Sequence, residues 1–328
     1  MLKMSVLGAG GFGCAIASIY EKVGYDITLW SYCTEEAQKI KDSHENIHYL
    51  PGVHIPETIH ITSDIQDVFD SDIICIVVPS FAVKSTLSLI HNRISKSAIL
   101  ICLSKGLDEA SMKTFSQIMY EMFPKNQQAI LSGPSHAEEI AKNITTALVV
   151  SSNDLKVAKY IQNTLSTQNI RIYVNEDIIG VQIGAALKNI IALGIGICDG
   201  MKLGDNTKAA LMTRGLKEIS KIGVALGAKK ETFYGLSGVG DLIVTCTSSH
   251  SRNHRAGILI GQGMDVKDAI KKVAMTVEGY TCAKIAHKLC QAHNLELPII
   301  EHMYEVLYKN KSPHQALKEL LSRPYKFE

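Results

Sequence analysis

Charge of either sign is not in excess in this chain: 34 Lys and Arg face 32 Asp and Glu, a net +2. That balance supplies no broad cationic field of the kind that holds nucleic acid or an anionic membrane surface, so any anion site must be local. A CxxC pair is missing too, for the eight cysteines stand at 14, 33, 75, 102, 198, 246, 282 and 290, several inside apolar runs. This spacing excludes a thiolate zinc site and a disulfide framework, and predicts buried, reduced thiols in a cytoplasmic protein. The pairs His44/His48 and His250/His254 have the i, i+4 spacing that could grip a metal from one helix face, but each lacks a third ligand nearby. No metal is expected. Lys188 splits the apolar stretch 178–198 into segments shorter than the ~20 residues of a membrane span, so no membrane insertion is expected. The apolar start is not read as a signal segment, because its glycines fall where a strand must turn into a helix. Repeats, low-complexity tracts and flexible linkers are absent.

What is present is globular. Of 328 residues, 46% are hydrophobic and 20% charged, which excludes a disordered chain. A single core stops growing near ~250–300 residues, so two domains are expected. Short β-branched runs at 4–7, 26–30, 73–78, 98–102, 129–131, 147–150 and 170–174 alternate with amphipathic stretches. Most are near-continuously apolar, the mark of a mainly parallel sheet covered on both faces by helices. After residue 175 the strands stop, and helices are expected at 177–199, 207–226, 253–261, 265–272, 280–293 and 299–308. The fold class is therefore α/β, a doubly wound N-terminal domain over 1–176 followed by an all-α domain over 177–328.

Gly8, Gly10 and Gly13, with Gly11 and Phe12 between them, fit GxGxxG between the first strand and its helix. The pattern permits a tight turn, close approach of backbone to pyrophosphate, and an anion at the helix N-terminus, so the first domain reads as Rossmann-like and dinucleotide-binding. Such sites usually place an acid at the end of the second strand, to hold the adenosine ribose. Here that stretch reads Leu29-Trp30-Ser31-Tyr32, and the nearest acids are Glu35 and Glu36. No carboxylate repels a 2′-phosphate and no arginine binds it, so both cofactors are expected with a bias to NADPH, and Ser31→Asp should shift the preference to NADH.

Three further strand ends, 78–80, 104–106 and 132–135, should converge on one crevice, with Lys105 as a candidate ligand group or an ordinary solvated lysine. Lys188 is the only charge between Asp177 and Asp199, and an unpaired buried ammonium costs several kcal/mol. Gly180 and Gly184 share its helix face and leave room for a ligand or for close-packed backbone; otherwise Lys188 snorkels to water. Asp241 closes a glycine-rich loop and would share a helix face with Thr245, though an acid there is often only a cap. Ser248, Ser249, Ser251 and Arg252 precede another helix, where hydroxyls can cap the backbone and a guanidinium can hold phosphate.

Taken in order, the turn at 8–13, Ser104-Lys105-Gly106, Gly133-Pro134-Ser135, Leu187-Lys188-Asn189, the loop at 238–245, Ser251-Arg252-Asn253 and Val277-Glu278-Gly279 resemble the NAD-dependent glycerol-3-phosphate dehydrogenase family in its bacterial form. The likeness covers nearly the whole chain. It implies reversible reduction of dihydroxyacetone phosphate to sn-glycerol 3-phosphate with NADP or NAD, for phospholipid synthesis, by a homodimer. It also implies Lys188 as general acid/base, Lys105 as ligand to substrate and cofactor, and Asn189, Asp241, Thr245, Gly133, Ser135, Ser251, Arg252 and Asn253 around the substrate. Glu278 and Ala137 would contact the cofactor with Gly8, Gly10, Gly11, Phe12, Gly13, Tyr32 and Arg252. Members often carry Ser where this chain has Gly11 and His or Arg near Tyr32, so side-chain contacts to the cofactor phosphates should be weaker here. The competing readings are a 3-hydroxy-acid or UDP-sugar dehydrogenase, which the Arg252 cluster disfavours, and a non-catalytic dinucleotide sensor, which would not need Lys105 and Lys188 together.

Overall fold

The computed structural model describes residues 1–324. Residues 325–328, assigned above to the second domain, lie outside the described residues. Contacts divide the chain into two units, the first comprising Met1–Asp108 and Lys113–Gln182, the second Glu109–Met112 and the chain from Ile183 onward.

In the first unit β1 (Lys3–Leu7), α1 (Gly11–Lys22), β2 (Asp26–Trp30), α2 (Thr34–Ser43), β3 (His60–Thr62), β4 (Ile73–Ile76) and α3 (Val83–Ile90) follow one another. Then come β5 (Ile99–Cys102), α4 (Phe115–Met122), β6 (Gln128–Ser132), α5 (Ala137–Ala141), β7 (Thr146–Ser151), α6 (Leu155–Leu165) and β8 (Ile170–Val174). The strands form one sheet in the order β3-β2-β1-β4-β5-β6-β7-β8. Every pairing is parallel except β6 with β7. Strand β3 is the addition to the sequence reading. Its three residues are too few for a period to show, and it forms because Thr28 of β2 pairs with His60. Strands β4 and β5 are buried along their whole length, as near-continuous apolar runs require in a sheet covered on both faces. Ile73, Cys75, Ile99 and Ile101 join Ile16 and Tyr20 of α1 and Ile161 and Leu165 of α6 in one core.

Helix α7 (Ile178–Gly200) crosses the boundary, which the sequence reading put before it at residue 177. Its first turns belong to the first unit because the Gln182 amide clasps Ser116, accepting from the backbone N–H at 3.0 Å and donating to the hydroxyl at 2.7 Å. By length and composition α7 could cross a membrane, since Lys188 does not break it; its most apolar window is nevertheless 94% buried within the protein.

The second unit continues with α8 (Asp205–Ala225), α9 (Asp241–Thr247), α10 (Arg252–Gly261), α11 (Val266–Val273), α12 (Glu278–Ala292), α13 (Pro298–Tyr308) and α14 (Pro313–Leu321). Glycines bring α7 and α10 together until backbone touches backbone. A Cβ on Gly196 would stand 2.1 Å from the His254 carbonyl oxygen, and one on Gly257 2.1 Å from that of Leu193. This crossing sets the start of α10 beside the middle of α7.

Candidate active site

The first unit carries an anion cradle at the carboxyl end of β1. Gly8, at φ +121°, turns the chain where a Cβ would press on the Val77 and Val78 backbone at 3.0 Å, and its N–H bonds the Trp30 carbonyl at 2.9 Å. Helix α1 then begins with Gly10 as its N-cap, without a side-chain cap and without an acid in its first turn. The amides opening the helix are thus left for a ligand, and a Cβ on Gly10 would meet nothing within 4 Å. These residues fit a dinucleotide pyrophosphate.

Gly11 has its own reason to be glycine: a Cβ there would lie 2.4 Å from the Tyr49 carbonyl oxygen and 3.7 Å from the Ala137 side chain. The segment carrying Tyr49 is held by Asn46, whose amide donates to the Ala9 carbonyl at 2.6 Å and accepts from the Tyr49 N–H at 2.9 Å. Sequence reasoning missed Asn46, which has no local signature. Phe81, on the turn Ser80–Ala82 after β4, carries a large apolar ring that stays 76% exposed. Tyr32 is equally open, with its ring edge-on to Trp30.

Ser31 does not stand open where the sequence suggested an acid might be placed. It is buried, and its hydroxyl donates to Glu36 of α2 at 2.7 Å. Ser31→Asp would therefore set two carboxylates against each other.

The loops after β4, β5 and β6 do converge. The Ser104 hydroxyl donates to the Val78 carbonyl at 2.6 Å, while the Lys105 ammonium donates to the Gly133 carbonyl at 2.8 Å and the Ser135 hydroxyl at 3.1 Å. Lys105 is fixed by neighbours rather than waving in solvent.

In the second unit Lys188 is buried, which removes the snorkelling alternative. Its ammonium pairs with the Asp241 carboxylate, whose side chain is 1% exposed, and donates to the Thr245 hydroxyl at 2.7 Å. Thr245 in turn donates to the Asp241 carbonyl at 2.6 Å. Gly184 takes close-packed backbone, for a Cβ there would meet the Ser237 carbonyl oxygen at 2.6 Å on the π turn Leu236–Gly240, which leads directly into Asp241. At the residue after Lys188 on α7, the Asn189 side-chain carbonyl accepts from the Asn253 amide at 2.9 Å, and Asn253 accepts from the Gly279 N–H at 2.8 Å. Glu278, the first residue of α12, is placed by that last bond.

The serines before α10 serve mainly the backbone. Ser251 is the N-cap, accepting from the His254 N–H at 3.3 Å, and Ser248 accepts from that of His250 at 3.1 Å. Arg252 occupies the first helical position. His254 bonds Asp199 at 2.7 Å. A different cluster, His302, Glu305 and Glu319, has ligand atoms close enough for an ion. Its place is taken by the Lys311 ammonium, 2.6 Å from Glu305 and 2.5 Å from Glu319.

Comparison with known proteins is concordant along the chain. Residues 3–158 match the N-terminal domain, and 177–318 the C-terminal domain, described as those of NAD-dependent glycerol-3-phosphate dehydrogenase. A protein of Fusobacterium nucleatum named glycerol-3-phosphate dehydrogenase (NAD(P)+) is 47% identical over 100% of this chain and 99% of its own length. One of the same name from Thermoanaerobacter is 46% identical, with the same coverage of both. The crystal structure of glycerol-3-phosphate dehydrogenase from Coxiella burnetii superposes with a TM-score of 0.94 at 36% identity, over 98% of this chain and 99% of that one.

Proposed function

Because the chain belongs to the NAD-dependent glycerol-3-phosphate dehydrogenase family, we infer that it is an oxidoreductase that reduces dihydroxyacetone phosphate reversibly to sn-glycerol 3-phosphate with NADH or NADPH. The observation that carries this reading is the buried ammonium of Lys188, held by Asp241 and Thr245. A bound nicotinamide dinucleotide supplies the hydride. Reduction of a ketone then needs a proton at the carbonyl oxygen, and Lys188 Nζ delivers it, leaving a neutral amine that recovers a proton beside the Asp241 carboxylate. Thr245 accepts from the ammonium and so fixes which N–H bonds remain for substrate. Asn189 and Asn253 orient the substrate hydroxyls, and Arg252 takes the phosphate, with Ser251 setting the start of its helix. Lys105, fixed by Gly133 and Ser135, serves substrate and cofactor. Gly8, Gly10, Gly11, Phe12 and Gly13 hold the pyrophosphate, with Ala137, Tyr32, Arg252 and Glu278 as further cofactor contacts.

The product's role is to supply the glycerol backbone of phospholipids, in the cytoplasm, by a homodimer that does not insert into membranes. Light scattering should give twice the mass of one chain. The deciding experiment follows dinucleotide absorbance with dihydroxyacetone phosphate and, in parallel, with unphosphorylated dihydroxyacetone. Turnover of the first and poor turnover of the second are expected, and Arg252→Ala should depress the first by several kcal/mol more in kcat/KM than the second. Equal loss on both substrates would remove Arg252 from the phosphate pocket, and no turnover of either would overturn the function.

A further inference from the structure

A carboxylate does stand at the end of β2, supplied by the next helix instead of the strand. Ser31 extends the strand by donating its N–H to the Thr62 carbonyl at 2.9 Å, and it is 1% exposed. Its hydroxyl accepts from the Cys33 N–H at 3.3 Å and donates to Glu36 Oε2 at 2.7 Å. Glu36 lies in the first turn of α2, so the helix carries its carboxylate back over the strand end it has just left.

A separate observation points to the same place. Burial pushes the Cys14 thiol up to about 12, and the negative charge of Glu36 adds to the rise. Cys14 sits in the first turn of α1, its Sγ donating to the Ala9 carbonyl at 3.1 Å. The carboxylate is thus within electrostatic reach of the glycine-rich turn. Among the described residues no cation pairs with Glu36, and Oε1 has no hydrogen-bond partner.

We propose that Glu36 is the residue that reads the adenosine ribose, and that it makes this protein prefer NAD(H) to NADP(H). The inference rests on the dinucleotide-dependent function proposed above and reverses the bias to NADPH read from the strand sequence. The chemistry is direct. A ribose 2′-hydroxyl can donate to the open oxygen of Glu36, as it does to the strand-end acid of other NAD sites. A 2′-phosphate brought to the same point meets an uncompensated negative charge, and neither Tyr32 nor Cys33, which follow Ser31 on the chain, is basic.

The test is binding in the absence of substrate, by calorimetric titration of NADH and NADPH into the wild-type protein, Glu36→Gln, and Glu35→Gln as a control on the exposed neighbour. The wild type should bind NADH at least about tenfold more tightly, a ratio that corresponds to ~1.4 kcal/mol. Glu36→Gln should weaken NADH, strengthen NADPH and lower that ratio by about tenfold or more, with Glu35→Gln leaving it in place. Ser31→Ala, which frees the carboxylate without removing it, should move the ratio in the same direction by less. A wild type that favours NADPH, or a ratio untouched by both Glu36→Gln and Ser31→Ala, overturns the role of Glu36 while leaving the dehydrogenase reading intact. A wild type that binds neither dinucleotide overturns both.

Discussion

At the scale of single residues, the buried pair of Lys188 and Asp241 makes stability and catalysis separable. Lys188→Met keeps the volume but removes both proton and charge, so turnover should fall ~10²–10⁴-fold. It also strands the Asp241 carboxylate, 1% exposed, without the ammonium that pairs with it. Breaking a buried pair from one side costs ~3–5 kcal/mol, so the variant should melt well below the wild type. Adding Asp241→Asn should restore much of that stability and none of the activity. Denaturant titration and turnover of the two variants check this together, and recovery of activity in the double variant would show that Lys188 is not the proton donor.

Among elements, two contacts hold the second unit in register. The first is the crossing of α7 and α10, where Gly257 lies so close to the Leu193 carbonyl that a Cβ would approach it to 2.1 Å. Gly257→Ala must therefore push the helices apart, at ~1–3 kcal/mol of overpacking, and carry Arg252 and Asn253 away from Lys188 and Asn189. A raised KM for the phosphorylated substrate should accompany the lower denaturation midpoint. The second contact is the start of α13, whose N-cap Leu297 offers no side-chain cap and whose first residue, Pro298, has no N–H. Glu218 of α8 supplies the missing acceptors, taking the N–H groups of Ile299 and Ile300 at 3.0 Å each. Burial pushes its carboxyl up to about 7, against the pull of those two bonds and of Lys221 and Arg323. A carboxyl whose folded pKa lies above its unfolded one binds more protons in the native state. Its contribution to stability is then full below pH ~4.5 and is lost as the pH rises through about 7. Thermal melts between these limits should slope downward in the wild type and less so in Glu218→Gln; parallel slopes would mean that Glu218 does not titrate there.

For the molecule as a whole, seven of the eight thiols are buried, and Cys33 alone is exposed, at the N-cap of α2, where the sequence pattern promised burial throughout. Burial pushes Cys75, Cys102, Cys246 and Cys290 up to about 12, which keeps them protonated and inert. A thiol reagent should consequently titrate one group rapidly in the native protein and the rest only after denaturation. Fast reaction of several groups would mean that the core opens on the timescale of the assay. The seven longer strands, six of the eight helices from α7 onward (all but α9 and α14) and the glycine turn at the head of α1 were legible in the sequence because each obeys a local rule. Strand and helix differ in hydrophobic period, and only glycine fits the backbone of that turn. Resemblance to relatives named the residues of the site, whereas the residues alone marked Lys188 as a charge in an apolar helix that something should use and left Asp241 open as a helix cap. Strand β3, the return of Glu36 to Ser31, the clasp of Asn46 on the glycine turn and the cap that Glu218 lends to α13 were not legible. Each joins groups whose chemistry is ordinary where they stand in the chain. Only packing brings them within hydrogen-bonding distance, and the sheet order and the glycine crossing of α7 with α10 decide that packing.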